Sequence, residues 1–284
     1  MMELSTHHKK LVSRAKAYPF GIPTSSYLFI SGECWPIDFY NERIPLNSIV
    51  RLNDKAESAT HIFTSRGMQT SSLAATRIPV LASGSNASPV RLKEKFYSEL
   101  KQTVIPVIQY SVKNLLPVFS AKFASYGSIT ATLQQAQNTE TKMFVTFLSL
   151  EQLQKMHQTE AIGDEYDFVR LRQVEMRQIT SEPTVQKTVY AYLSRKGVFD
   201  LHQQQFTLDS HAVPVEGFAY RTQTEMLIQA HHLLNPRQDL EEFILQNITN
   251  DKNRRQNNLL LGQFSRPFGG GNTTKITDDP SSLF

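Results

Sequence analysis

Residues 78–96 read IPVLASGSNASPVRLKEKF. The first five are apolar and bounded by small polar residues, which predicts a short buried strand. Ser83-Gly84-Ser85-Asn86 follows as a tight loop. Ser88 suits a helix N-cap and Pro89 the first helical position, while Leu92, Phe96 and Leu100 recur along one helical face. Strand, small-residue loop and helix N-terminus thus arrive in order. Such a loop leaves backbone N–H groups unobstructed and the helix dipole adds positive potential, so the ligand expected here is a carboxylate or a developing oxyanion.

Working outward toward the C-terminus, residues 104–112, 118–124, 129–133 and 143–148 carry apolar runs of strand length, with a turn at Tyr126-Gly127-Ser128. A helix is expected from Ser149, which pairs with Gln152 as a capping box; Leu150, Leu153 and Met156 form its buried stripe and Glu160 falls just beyond it. Residues 166–176 and 185–193 read as two further strands. Short strands in succession predict an α+β fold with a small mixed or antiparallel sheet, closure into a barrel being one option, and flanking helices. A second capping box, Thr222 with Glu225, opens a helix that Asn235-Pro236 separates from another, which predicts a C-terminal helical hairpin packed on the sheet.

Toward the N-terminus the pattern is broken by Pro19, Pro23, Gly32 and Pro36, so residues 1–75 are expected to be an irregular extension whose aromatic side chains pack on the core, with SSYLFIS as a short edge strand. Residues 76–200 form the expected core domain and 201–264 the helical region. Residues 265–284 are rich in Gly, Ser, Thr and Asp and are expected to be a disordered tail.

Composition narrows the function. The chain of 284 residues is 40% hydrophobic and 20% charged, as in ordinary globular proteins. No apolar run reaches the roughly 18 residues of a membrane helix, and the first residues lack a secretory apolar stretch, so a cytoplasmic protein without membrane contact is expected. The one cysteine, Cys34, has no partner for an internal disulfide and reads as a structural thiol. The net charge of +4 is spread along the chain without aromatic interleaving or zinc spacing, which argues against specific nucleic-acid binding. His7-His8 and His231-His232 lack the spacing of metal ligands, so no metal or other cofactor is expected.

Taken together, Gly84-Ser85-Asn86 and Arg91-Leu92, the run GSITATL at 127–133, the strand and leucine-bearing helix over 142–158, Glu160 six residues before Tyr166, and the strand TVYAYLS resemble the γ-glutamylcyclotransferase family. The resemblance covers about 115 residues. It implies a cofactor-independent enzyme in which the α-amine of a small γ-glutamyl amide or peptide attacks its own γ-carbonyl, releasing 5-oxoproline and an amine. It further implies Glu160 as the general acid/base, its pKa raised toward neutrality by burial; Ser83, Gly84, Ser85 and Asn86 as the anion cradle; and Tyr126, Tyr166 and Tyr192 as pocket walls. Ser83 stands in place of the family's loop tyrosine, His157 in place of an aspartate and Ala161 in place of a glycine.

The same residues also admit plainer readings. Glu160 reads as a solvated helix-end residue, loop 83–86 as a strand-to-helix turn, the tyrosines as core aromatics, and His157 as a surface residue with a proton-shuttle role as the rival reading. The second function class is a catalytically silent binding or scaffold protein of the same fold, reaching a protein partner through its N- or C-terminal extension.

Overall fold

The computed structural model describes residues 5–179, 188–209, 215–270 and 273–276. Ser5 accepts the His8 N–H and opens helix α1 (Thr6–Lys16). Strands β1 (Tyr27–Ile30) and β2 (Glu33–Phe39) form a hairpin, and β3 (Ile49–Leu52) and β4 (Lys55–Ser58) a second one turning on Asn53 and Asp54. Both turn residues have positive φ, which short polar side chains tolerate best among non-glycine residues. Helices α2 (Ala59–Ser65) and α3 (Ser71–Ala74) follow. The first 75 residues are therefore largely regular rather than irregular: most of the Pro and Gly residues that interrupt the pattern sit between elements. SSYLFIS supplies an inner strand instead of an edge strand, because β1 is hydrogen-bonded on both sides and all four of its side chains are buried.

The deciding stretch folds as β5 (Ile78–Ala82), a 3-10 turn over Ser85–Ala87, and α4 (Pro89–Lys95). Pro89 stands at the start of the helix as expected. The Ser88 hydroxyl, however, donates to the Phe20 carbonyl at 2.7 Å instead of capping the helix. The helix ends before Phe96 and gives way to a 3-10 segment, Tyr97–Gln102. Next come two twenty-residue antiparallel strands, β6 (Val104–Phe123) and β7 (Ile129–Leu148), where four short ones were expected. The polar breaks around residues 113 and 138 are not strand ends. They mark an irregularity in the ladder where Asn114 and Asn138 take positive φ and the Asn114 side chain accepts the Asn138 N–H at 2.9 Å.

Ser149 and Gln152 form the expected capping box of α5 (Leu150–Glu160). Strands β8 (Tyr166–Leu171), β9 (Met176–Gln178) and β10 (Val189–Ser194) follow, so the single strand expected over 166–176 is two. Residues 185–187 of the strand expected over 185–193 lie outside the described residues. Region 201–264 is not purely helical. β11 (Val198–Leu201), β12 (Gln204–Thr207) and β13 (Phe218–Tyr220) precede three helices, α6 (Gln223–Leu234), α7 (Leu240–Thr249) and α8 (Asp251–Leu261), rather than a two-helix hairpin. The tail also carries structure: β14 (Ser265–Arg266) pairs with β11 and β15 (Thr273–Lys275) with β8; residues 271–272 and 277–284 lie outside the described ones.

The principal strand order is β15-β8-β10-β5-β7-β6-β1-β2-β3-β4, antiparallel throughout except for the parallel β5–β10 pair. β9, β11 and β12 attach to β6 off this path. Among the described residues this large mixed sheet stays open at β15 and β4, so the barrel option does not hold and the expected small sheet is a large one.

Among the described residues the three largest apolar clusters cover the sheet. On one face Leu92 of α4, Phe96 just after it, and Leu153 and Met156 of α5 pack on Val80, Ile105, Val107 and Phe168. On the other, Trp35, Ile37, Ile62 and Phe63 pack on Leu81, Ile108, Tyr110 and Val145. At the far ends of β6 and β7, Phe119, Phe123 and Ile129 meet Val12 of α1 together with Met226, Leu227, Phe243 and Leu261 of α6–α8. The N-terminal aromatics thus pack on the core, as their burial demand predicts.

Candidate functional site

A polar cavity of about 340 Å³ opens where loop 83–86, the end of α5 and the β6–β7 turn converge. Ser83, Gly84, Ser85, Asn86, Tyr126, Glu160, Tyr166 and Tyr192 all line it. Glu160 is the last residue of α5 rather than lying beyond it, and the next residue, Ala161, takes the left-handed conformation (φ 47°, ψ 57°) in which helices commonly end on glycine. The side chain of Glu160 is 11% exposed, so it is not a solvated helix-end carboxylate.

Its partner is Lys95 of α4, whose side chain is 4% exposed. The Lys95 ammonium contacts the Glu160 carboxylate directly, donates to Asn86 Oδ1 at 2.8 Å and lies 3.3 Å from Met156 Sδ. The Asn86 side chain also hydrogen-bonds Glu160, so the loop, α4 and α5 are tied at one point. Burial pushes the Glu160 carboxyl up, but the charge and hydrogen bond of Lys95, the Asn86 amide and the Lys122 ammonium outweigh it and hold the group below the usual carboxylate range. The expectation of a raised pKa is thereby corrected. Burial pulls the Lys95 ammonium down, and Glu160 restores part of that loss.

A second ion pair, Lys122 of β6 with Glu165, stands across the cavity, the Lys122 Nζ lying 4.7 Å from the centre of the Tyr166 ring. The Tyr166 hydroxyl donates to Thr130 Oγ1 at 2.9 Å. The Tyr192 hydroxyl meets His157 Nδ1 at 2.8 Å, and the His157 ring packs 4.6 Å from that of Phe168; His157 is half-buried instead of a surface residue. Tyr126 stacks under the Arg91 guanidinium at 5.4 Å, and Arg91 shares Glu94 with Arg14. Helix α8 closes the rim with Asp251, Arg254, Arg255 and Asn258. Asn258 docks it there by accepting the Phe123 N–H at 2.7 Å and donating to the Phe123 carbonyl at 3.1 Å.

The N-terminal segment enters the site through Tyr18. Its hydroxyl accepts the Ala131 N–H at 2.8 Å, and burial keeps the phenol neutral. A Cβ on Gly84 would stand 2.0 Å from this oxygen and 2.9 Å from the Ala131 Cβ. Gly84→Ala is therefore expected to cost about 1–3 kcal/mol of stability through overpacking, measured by urea unfolding. An unchanged midpoint would show that Tyr18 does not hold this position.

Lys95, Lys122, Tyr18 and the α8 residues escape the sequence reading. Lys95 had a signal: it shares the helical stripe of Leu92 and Phe96, where a lysine is expected only with a buried partner. Tyr18 lies more than sixty residues from the loop it touches and has none. Among the described residues no three His, Cys, Asp or Glu side chains come together as a metal site needs, and no helix is long and apolar enough to cross a membrane. Cys34 is exposed on β2, which removes the packing role expected for it.

Compared with models of protein families, with curated proteins and with solved structures, the chain matches none.

Proposed function

We propose that the cavity binds a small γ-glutamyl amide or peptide and cyclises it to 5-oxoproline without a cofactor, in the manner of γ-glutamylcyclotransferases. The observation that carries this reading is the meeting of Glu160 with loop 83–86 in one polar cavity, although more than seventy residues separate them in sequence. The volume of about 340 Å³ lies at the small end of the range for ligand sites. Five basic side chains against three carboxylates line it, which favours a ligand carrying a carboxylate.

The chemistry asks little of the protein. Attack by the substrate's own amine is intramolecular, so holding the chain bent supplies much of the rate. Glu160 takes a proton from the ammonium, and donors lining the cavity stabilise the oxygen that becomes negative, the Ser85 N–H being already held by the Tyr18 hydroxyl. Assay of 5-oxoproline release from γ-glutamyl dipeptides, γ-glutamyl amines and glutathione tests the reading. Wild-type protein is expected to release 5-oxoproline, and Glu160→Gln to lower kcat roughly 10²-fold or more.

A second reading, a silent binding protein of this architecture, is favoured by one feature: Tyr18 from the N-terminal segment already stands against Gly84 and bonds Ala131 at the cavity wall. Folded wild-type protein that releases 5-oxoproline from no member of the panel would decide for it.

A further inference from the structure

The role of Lys95 rests on the cyclisation reading, which gives every proton to one carboxylate. The cavity holds a second buried proton carrier in direct contact with that carboxylate. Lys95 reaches in from α4, places its ammonium on Glu160 and on Asn86 Oδ1, and is covered beneath by Met156. An ammonium has three protons to give, and a carboxylate only accepts. The other buried lysine of the cavity, Lys122, is held by Glu165, whose side chain is 36% exposed, and lies over the Tyr166 ring. Of the two, Lys95 is the one in hydrogen-bond contact with both the loop and Glu160.

We propose that Lys95 is a second catalytic residue, the general acid that protonates the departing nitrogen, while Glu160 is the base that deprotonates the attacking amine.

Glu160 takes one proton from the substrate's α-ammonium. The freed nitrogen forms a C–N bond to the γ-carbonyl carbon, and the carbonyl oxygen takes the electron pair. As the oxyanion collapses, the bond to the departing nitrogen breaks and that nitrogen takes a proton from Lys95. The Glu160 carboxyl then returns its proton to the neutral Lys95 amine across their contact, which restores the ion pair. The second proton shed by the ring nitrogen passes through water to the released amine, which leaves as its ammonium. Burial, which lowers the affinity of Lys95 for its proton, acts in the direction this role requires.

The test compares two substrates on the same samples: a γ-glutamyl alkylamide, whose strongly basic amine must be protonated to leave, and γ-glutamyl-p-nitroanilide, whose weakly basic amine leaves without help. Lys95→Arg keeps the charge but has no proton to give at working pH. It is expected to lower kcat/KM for the alkylamide roughly 10²-fold more than for the anilide. The ratio of the two losses is independent of how much of each preparation is folded. Equal losses on both substrates would overturn the role of Lys95 and leave the cyclisation reading standing. No release by wild-type protein from either substrate would overturn the reading itself, and Lys95 with it. A second measurement needs no variant: across a series of γ-glutamyl anilides, wild-type kcat/KM is expected to change little with amine basicity, and a steep fall with rising basicity would rule out proton donation.

Discussion

Lys95→Ala is expected to lower the unfolding free energy by about 3–5 kcal/mol, because it leaves the Glu160 carboxylate buried without its principal counter-charge. That is a large share of the roughly 5–15 kcal/mol a domain of this kind typically has. The loss carries a pH signature. In the wild type the folded-state pKa of Glu160 lies below its unfolded value, so its contribution to stability is present above the ordinary carboxylate range and lost as pH falls through the folded pKa. Without Lys95 burial is opposed only by the Asn86 amide and the Lys122 ammonium, so the folded pKa rises and the stability this group contributes above the ordinary carboxylate range shrinks. Urea unfolding at about pH 5 and about pH 8 should therefore show a larger deficit of the variant at the higher pH. A deficit that is constant across pH, or below about 1 kcal/mol, would mean that the pair is open to water and contributes as a surface salt bridge does.

Phe243→Ala is expected to cost about 3–5 kcal/mol, the usual loss on emptying a buried phenylalanine site. Phe243 of α7 is 1% exposed and meets Phe123 of β6 edge-on at 5.8 Å and the His231 ring at 5.3 Å. Its cavity would lie in the cluster shared by the sheet and the three C-terminal helices. A single cooperative transition shifted to lower urea is the expected result. A loss under about 1 kcal/mol, or a separate early transition, would show that these helices fold as an accessory unit.

The sequence was legible where neighbours along the chain decide the structure. The capping boxes at Ser149 and Thr222 mark real helix starts because the reciprocal bonds span only three residues. The strand, loop and helix of residues 78–95 likewise follow from local pattern. The reading failed where long-range pairing decides. β1 is an inner strand only because β6, more than seventy residues on, hydrogen-bonds its second edge. The polar breaks inside β6 and β7 pass for strand ends until the partner strand is seen to carry its own asparagine opposite. Helix α8, DKNRRQNNLLL, has almost no apolar stripe; it is held by asparagine bonds, Asn257 to Asn247 at 2.9 Å and Asn258 to the backbone of Phe123, which no hydrophobic period announces. The missed site residues share this cause. Tyr18 and Lys122 enter the cavity from elements whose position depends on the finished sheet.

The order in which the cavity walls appear along the chain, from Tyr18 to Asn258, bears on how the protein comes into being. During synthesis the loop, the carboxylate helix and the β6–β7 hairpin leave the ribosome well before α8. The Ala15 carbonyl of α1 must wait for the Ser128 hydroxyl, which donates to it at 2.8 Å. Lys16 must wait longer, for Glu241, which it meets at 2.9 Å. A chain that has reached β10 holds loop 83–86, Glu160, Tyr166 and Tyr192 but lacks the α8 residues that form the rim. The cavity wall is therefore drawn from both ends of the described chain and is complete only once α8 has been made.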